Sequence, residues 1–185
     1  MHGPDTPSPW VQRFAALVAR GARVLDVACG GGRHAKLFAR RGCLVDAVDR
    51  DPSCGEALAG EPNVRFLRAD LEAGPWPYGE RRFDAIVVAN YLHRPLFPQL
   101  CASLADAGVL IYETFAVGNE RYGRPSNPDF LLKPRELLDA FGAQLHVLAF
   151  EDGVVAAPRP ARIQRLCGVR ASADAHERLR LDAAL

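Results

Sequence analysis

Three aspartates follow or close three short apolar runs in the first half of the chain. They are Asp26 in RVLDVA, Asp49 in LVDAVD and Asp70 in RADL, and a glycine triplet, Gly30 to Gly32, stands between the first two. Carboxylates accept hydrogen bonds from hydroxyl, amine and amide groups, and glycines let a backbone approach a ligand closely. Together these types suit a nucleotide or nucleoside ligand. The run Gly30 to Ala35, GGGRHA, also fits the G-x-G-x-x-G/A template of dinucleotide sites. An ordinary strand-to-helix turn would produce the same letters.

Asp26 separates the readings, because it lies inside its strand, four residues ahead of Gly30. In a dinucleotide site the helix N-terminus takes the pyrophosphate, and a neighbouring carboxylate would repel it. Beside an amino-acid moiety the same carboxylate orients the loop and favours an ammonium group. S-adenosylmethionine carries that ammonium and a sulfonium, and no phosphate. Asp49, 19 residues after Gly30, is placed to accept from both ribose hydroxyls, which suits either ligand. Asp70 is placed to accept from an adenine amine, with Leu71 against the ring. Three acids around one glycine loop favour S-adenosylmethionine over NAD.

The elements that position these residues alternate. Ser8-Pro9 opens a helix with Trp10, Phe14, Leu17 and Val18 as its apolar stripe, closed by Gly21. Strands are expected over 23–28, 44–48, 64–68, 83–89 and 109–114, with helices over 33–41, 52–59 and 96–106. Residues 72–82 read as loop, 134–141 as helix, and 144–150 and 162–169 as strands. The tail 171–185 reads as a short helix or a frayed end. Residues 115–133, rich in Gly, Asn and Pro, lack periodicity; an ordered stretch of that kind is commonly functional. The order implies an α/β fold, a Rossmann-like, mostly parallel sheet with helices on both faces, in one domain spanning 1–185. Ligands of such sheets bind at the carboxyl ends of strands.

VLDVACGGGRHA, VDAVDRD, RADLEAG and FDAIVVANYLHR, in this order and spacing, resemble the successive motifs of class I S-adenosylmethionine-dependent methyltransferases. Within that superfamily the chain is similar to small bacterial methyltransferases of the tellurite-resistance-like or uncharacterised kind. The resemblance implies seven strands in the order 3-2-1-4-5-7-6, the seventh antiparallel. It implies that Asp26 with Gly30, Gly31 and Gly32 holds the methionine part, and that Asp49, with Arg50 beside it, holds the ribose. Asp70 and Leu71 would hold the adenine, and Asn90 would line the floor near the methyl group. Ala28 stands where the family loop usually has its first glycine; binding is expected to survive, with a shifted loop.

Methyl transfer is an in-line displacement in which positioning does much of the work. A base is needed only where the acceptor holds its proton at neutral pH, and no metal is invoked. His93 and Tyr91, just past the fourth strand, are the candidate catalytic groups. Glu113, Tyr122, Arg124 and Asn127 are the candidate acceptor-binding residues, and Arg121 with Arg124 would suit an anionic acceptor. The 115–133 segment, with Gly118 and Gly123 as hinges, reads as a lid. An Asn- or Asp-Pro-Pro-aromatic tetrad, which would mark nucleobase or glutamine amino-methylation, is missing from Asn90–His93.

Composition narrows the class further. The 185 residues are 49% hydrophobic and 24% charged with a net charge of +1, which gives no basic footprint of a dedicated nucleic-acid binder. Five scattered cysteines without C-x-x-C spacing suggest a reducing, cytoplasmic setting. No signal-peptide pattern opens the chain and no apolar run is long enough for a membrane span. The expectation is a bacterial enzyme that methylates a small molecule. Its rivals are an RNA methyltransferase, an NAD(P)-linked oxidoreductase, and a protein that binds S-adenosylmethionine without turnover.

Overall fold

A computed structural model describes residues 6–170. Residues 1–5 and the tail 171–185, for which a helix or frayed end was expected, lie outside the described residues. Seven strands form one sheet: β1 (Arg23–Val27), β2 (Leu44–Asp49), β3 (Val64–Arg68), β4 (Phe83–Ala89), β5 (Leu104–Phe115), β6 (His146–Val155) and β7 (Ala161–Val169). Their order is β3-β2-β1-β4-β5-β7-β6, with β7 antiparallel to both neighbours. This is the fold class and strand order that the motifs implied.

Burial on both faces explains the central strands. Val24, Val45, Ala85, Val87 and Ile111 point to one side, with Phe38 of α2 (Arg33–Arg40) and Trp10 and Phe14 of α1 (Pro9–Phe14). Leu25, Ile86, Val88, Leu110 and Tyr112 point to the other, with Leu100 of α4 (Phe97–Ala102) and Leu137 and Phe141 of α5 (Glu136–Phe141). The short α3 (Ser53–Ala57) precedes Leu58, which joins the first core. Near-continuous apolar strands are what a parallel sheet covered on two faces requires.

Three expected boundaries move. The first helix, expected to close at Gly21, ends at Phe14 and passes into a 3-10 turn over Ala15–Leu17. The helix expected over 96–106 stops at Ala102, and the chain is already in β5 at Leu104. Leu96, Leu100 and Leu104 keep a helical spacing, yet fully buried Leu104 pairs with Phe83 instead. Ala107 at φ +60° and Gly108, where a Cβ would meet two carbonyl oxygens at 2.8 and 2.9 Å, make the bulge that lets the strand resume at Val109. At the far edge β6 runs to Val155 rather than to Phe150. Cross-strand ion pairs hold this extension, Arg165 with Glu151 and Arg162 with Asp152.

Residues 115–133 form a loop with structure of its own. Short 3-10 turns lie at Asn119–Arg121 and Pro128–Phe130, and Ala116 bridges Leu132. The Asn119 side chain, 1% exposed, donates to the Pro125 carbonyl at 3.0 Å and accepts from the Arg162 amide at 3.1 Å. Arg94 donates to the Asp129 and Leu131 carbonyls at 2.8 and 2.9 Å, and its guanidinium is gripped by Glu136. Asn119→Ala orphans two backbone groups, so unfolding free energy should fall by about 1–3 kcal/mol. A denaturant melt checks it; unchanged stability would mean that the loop needs no such anchor.

Candidate active site

Gly32 occupies the N-cap position of α2 and has no side chain to cap it. The cap comes from the strand: Asp26, 1% exposed, accepts from the Ala35 amide through Oδ2 at 2.9 Å. The loop between them takes left-handed conformations at Ala28 (φ +51°), Gly30 (φ +52°) and Gly32 (φ +74°). Gly32 is further constrained, since a Cβ there would lie 2.2 Å from a Leu58 methyl. Ala28 adopts the conformation that a glycine would take, at a cost of about 1–2 kcal/mol. The loop therefore keeps a glycine-like path, and the expected shift takes the form of local strain.

Asp49 ends β2 and holds the loop from the other side. Its Oδ2 accepts from the Gly30 amide and its Oδ1 from the Asp51 amide, both at 3.0 Å. Each oxygen retains a further lone pair. Asp70, after β3, accepts through Oδ1 from the Glu72 and Ala73 amides, bonds that pull its carboxyl below the ordinary range. That turn leaves Oδ2 as the atom able to meet an amine. Ala28, Asp49, Arg50, Asp70, Leu71 and Tyr91 line one open cleft of about 510 Å³.

The cleft fits a nucleoside better than a dinucleotide. Its three carboxylates, Asp49, Asp70 and Glu72, suit ribose hydroxyls and an adenine amine and outnumber its one cation, Arg50, which disfavours phosphate. Leu71 supplies an apolar face, and Gly31 lies exposed at the top of the turn. S-adenosylmethionine therefore suits the residues present.

Two further cavities meet at Asn90, whose φ of +58° turns the chain away from β4. One lies under the 115–133 loop and is lined by Tyr91, Leu92, Thr114, Phe115, Pro125 and Phe130, with Asn90 and Glu72 at its ends. It shares Tyr91 and Glu72 with the nucleoside cleft. The other, about 760 Å³, lies between the segment 6–9 and the β6–β7 hairpin. Glu113, Arg33 and Arg165 face it, with Phe115 and Ile163 among its apolar walls.

The candidates divide accordingly. Tyr91 lies between the cleft and the loop cavity, but burial and the carboxylates of Glu72 and Asp70 raise its phenol well above the ordinary range. It stays protonated and forms a wall common to both spaces. His93 is half-buried near Asp70, at the entry to a 3-10 turn, and lines neither cavity at Asn90. Glu113 is not grouped with the loop residues. Side chains alternate along β5, so Glu113 faces the α1 side and receives a hydrogen bond from Ser8. Tyr122, Arg124 and Asn127 are exposed and line none of these cavities, and Asn127 spends its side-chain oxygen on the Asp129 amide.

Three residues in the hairpin cavity were not singled out for it. Arg33 sits inside the GGGRHA run, Ser8 was read only as a helix cap, and Arg165 carries no sequence signal. Only the antiparallel register, Glu113 opposite Arg165, brings the last into place. His34 is a fourth. Its Nε2 accepts from the Ser8 amide at 3.2 Å, and burial, helped by Arg33, lowers its pKa to about 3, so the ring is neutral. Among the described residues no cluster of His, Cys, Asp or Glu is arranged to hold a metal, and no helix is long and apolar enough to cross a membrane.

The chain is similar to known methyltransferases in sequence and in fold. Residues 24–107 match the family model described as methyltransferase domain. An uncharacterised methyltransferase of Synechocystis is 31% identical over 84 residues, 45% of this chain and 39% of that protein. The chain spans about two fifths of that relative's length. The crystal structure of TehB from Haemophilus influenzae superposes with a TM-score of 0.74 at 15% identity, covering 89% of this chain and 62% of that one. A TehB-like S-adenosylmethionine-dependent methyltransferase from Corynebacterium glutamicum gives 0.62 at 22% identity, covering 88% and 87%. These two likenesses establish the fold.

Burial raises the Asp26 carboxyl to about 7, against the Ala35 amide and Arg33, which pull it down. A carboxyl raised on folding contributes its full stability below its unfolded value and loses it as pH rises through about 7. Asp26→Asn keeps an acceptor for the Ala35 amide and has no charge to bury. Its melting temperature relative to wild type should therefore rise between pH 5 and 8. Parallel pH profiles for the two proteins would overturn the assignment.

Proposed function

We propose that residues 24–107, which match the methyltransferase-domain model, act as a class I, S-adenosylmethionine-dependent methyltransferase domain, and that the protein transfers a methyl group to a small molecule enclosed at Asn90. The observation that carries this reading is the continuity of the cavities. The nucleoside cleft shares Tyr91 with the chamber under the loop, and that chamber shares Asn90, Thr114 and Phe115 with the hairpin cavity. Donor and acceptor would thus meet at the carboxyl end of β4, beside the loop that Asp26 and Asp49 hold.

The bound cofactor supplies a methyl group activated by its sulfonium. The protein's own residues supply binding and exclusion. Asp49 and Asp70 take the ribose and adenine, Leu71 packs on the ring, and Arg50 and Ala28 complete the cleft. Asp26 fixes α2 and with it the amides of Gly30, Gly31 and Gly32. Asn90 and Tyr91 form the floor and wall, and the anchored loop shuts out water on one side. Holding reacting groups in line in this way supplies most of what methyl transfer needs. A large macromolecular acceptor fits less well, because Pro125 and Phe130 close over the chamber and the hairpin covers the second cavity.

Calorimetric titration with S-adenosylhomocysteine, NAD and NADP tests the reading. Micromolar binding of the first and none of the dinucleotides is expected. Asp49→Ala should weaken that binding by at least tenfold, about 1.4 kcal/mol, in a protein that still folds. Binding of NAD in place of the homocysteine compound would overturn the proposal.

A further inference from the structure

The hairpin cavity has a fixed cation and a composition that together select a ligand class. Arg165 stands opposite Glu113 in the sheet and opposite Glu151 on its other side. Its Nε and Nη2 donate to Glu151 Oε2 at 2.8 and 2.5 Å, and its guanidinium carbon lies 4.7 Å from the Trp10 ring centroid. Held by a carboxylate and an aromatic face, the guanidinium has little freedom left to lose when a ligand arrives. Arg33 and Arg159 face the same space; of the three guanidinium groups Arg165 is paired with Glu151, and Glu113 is the one carboxylate of the cavity lining.

Glu113 itself is 9% exposed, and its partners are the Ser8 hydroxyl and the fields of Arg165 and Arg33. Burial pushes its carboxyl up, while the Ser8 hydroxyl and the two guanidinium groups pull it down. Phe115, Ile163, Val155 and Ala161 make the rest of the wall largely apolar. The chamber opens onto Asn90, where the donor's reactive end is placed by the reading above.

We propose that this chamber binds the acceptor, and that the acceptor is an organic acid whose carboxylate is held by Arg165 and Arg33 while its apolar body lies on Phe115 and Ile163. The inference rests on the methyl-transfer reading and names its substrate class. An amine acceptor would place a cation among three arginines, with only one buried carboxylate to meet it.

The test is a calorimetric titration of the full chain, saturated with S-adenosylhomocysteine, with benzoate, octanoate and succinate, the matching amides, and phenyl phosphate. At least one carboxylate should bind about tenfold more tightly than its amide. Arg165→Gln should lower that affinity by about tenfold, and Glu113→Gln, which removes the opposing charge, should raise it by about threefold. Neither substitution should move the affinity for S-adenosylhomocysteine. Should Arg165→Gln fail to fold, Ile163→Glu, which sets a negative charge on the apolar wall, must weaken carboxylate binding instead.

Equal binding of acid and amide, indifference to both of these substitutions, or weaker binding in Glu113→Gln would overturn the proposal. Binding of phenyl phosphate alone would overturn the carboxylate assignment. If S-adenosylhomocysteine does not bind wild type, that failure falls on the methyl-transfer reading. The titrations repeated without it then decide the anion site separately.

Discussion

The site depends on one arrangement, a glycine loop held between two carboxylates that belong to neighbouring strands. Gly32 cannot cap α2, so Asp26 reaches out of β1 to the Ala35 amide, while Asp49 reaches from β2 to the Gly30 amide. Three residues of the turn adopt left-handed backbone conformations, one of them an alanine. Such a turn persists only where its surroundings over-determine it. The parallel pairing of β1 with β2 sets the two carboxylates in register, Val27 opposite Val48. The sheet is therefore what shapes the loop, and the loop keeps its path because both acids are in place.

The end of β5 does the corresponding work on the acceptor side. Alternation along a strand sends Tyr112 and Thr114 toward the α4–α5 face and Glu113 and Phe115 toward α1. Tyr112 donates to the Tyr91 carbonyl at 3.0 Å and so fixes the chain just past Asn90. Glu113 receives a bond from Ser8, whose amide in turn is taken by the neutral His34. One strand end thus steadies the wall of the nucleoside cleft on one face and lines the hairpin cavity on the other. The two chambers differ in charge for that reason: Arg33, Arg159 and Arg165 line the hairpin side, and no arginine lines the loop side.

Much of this was legible in the sequence, and the reasons are physical. β3 and β4 start and stop where expected, because short runs such as FDAIVVA have no other way to bury both faces. The three strand-end acids were legible from their type and spacing around a glycine loop. The boundary between α4 and β5 was not, since Leu96, Leu100 and Leu104 keep helical spacing and only the contact with Phe83 turns Leu104 into a strand residue. The grouping of Glu113 with Tyr122, Arg124 and Asn127 followed chain proximity. The period-two alternation of β5 already carried the signal that separates them. Arg165 had no such signal, because its partners Glu113, Glu151 and Trp10 come from three distant parts of the chain.

The N-terminal segment shows why position in a site and sequence motif are different things. Thr6, Pro7, Ser8 and Pro9 form one wall of the hairpin cavity, yet none belongs to a recognisable nucleotide-binding pattern. They are held there by a buried imidazole. His34 sits two residues past Gly32 on α2, 3% exposed, and a ring with a pKa near 3 accepts a hydrogen bond across the whole physiological range without gaining a charge. Arg33 adds a bond to the Thr6 carbonyl at 3.4 Å. The same helix start that presents the glycine loop to one ligand therefore anchors the wall that faces the other. Any shift of α2 moves both at once, so the glycine loop and the cavity wall are set by a single element rather than by two independent ones.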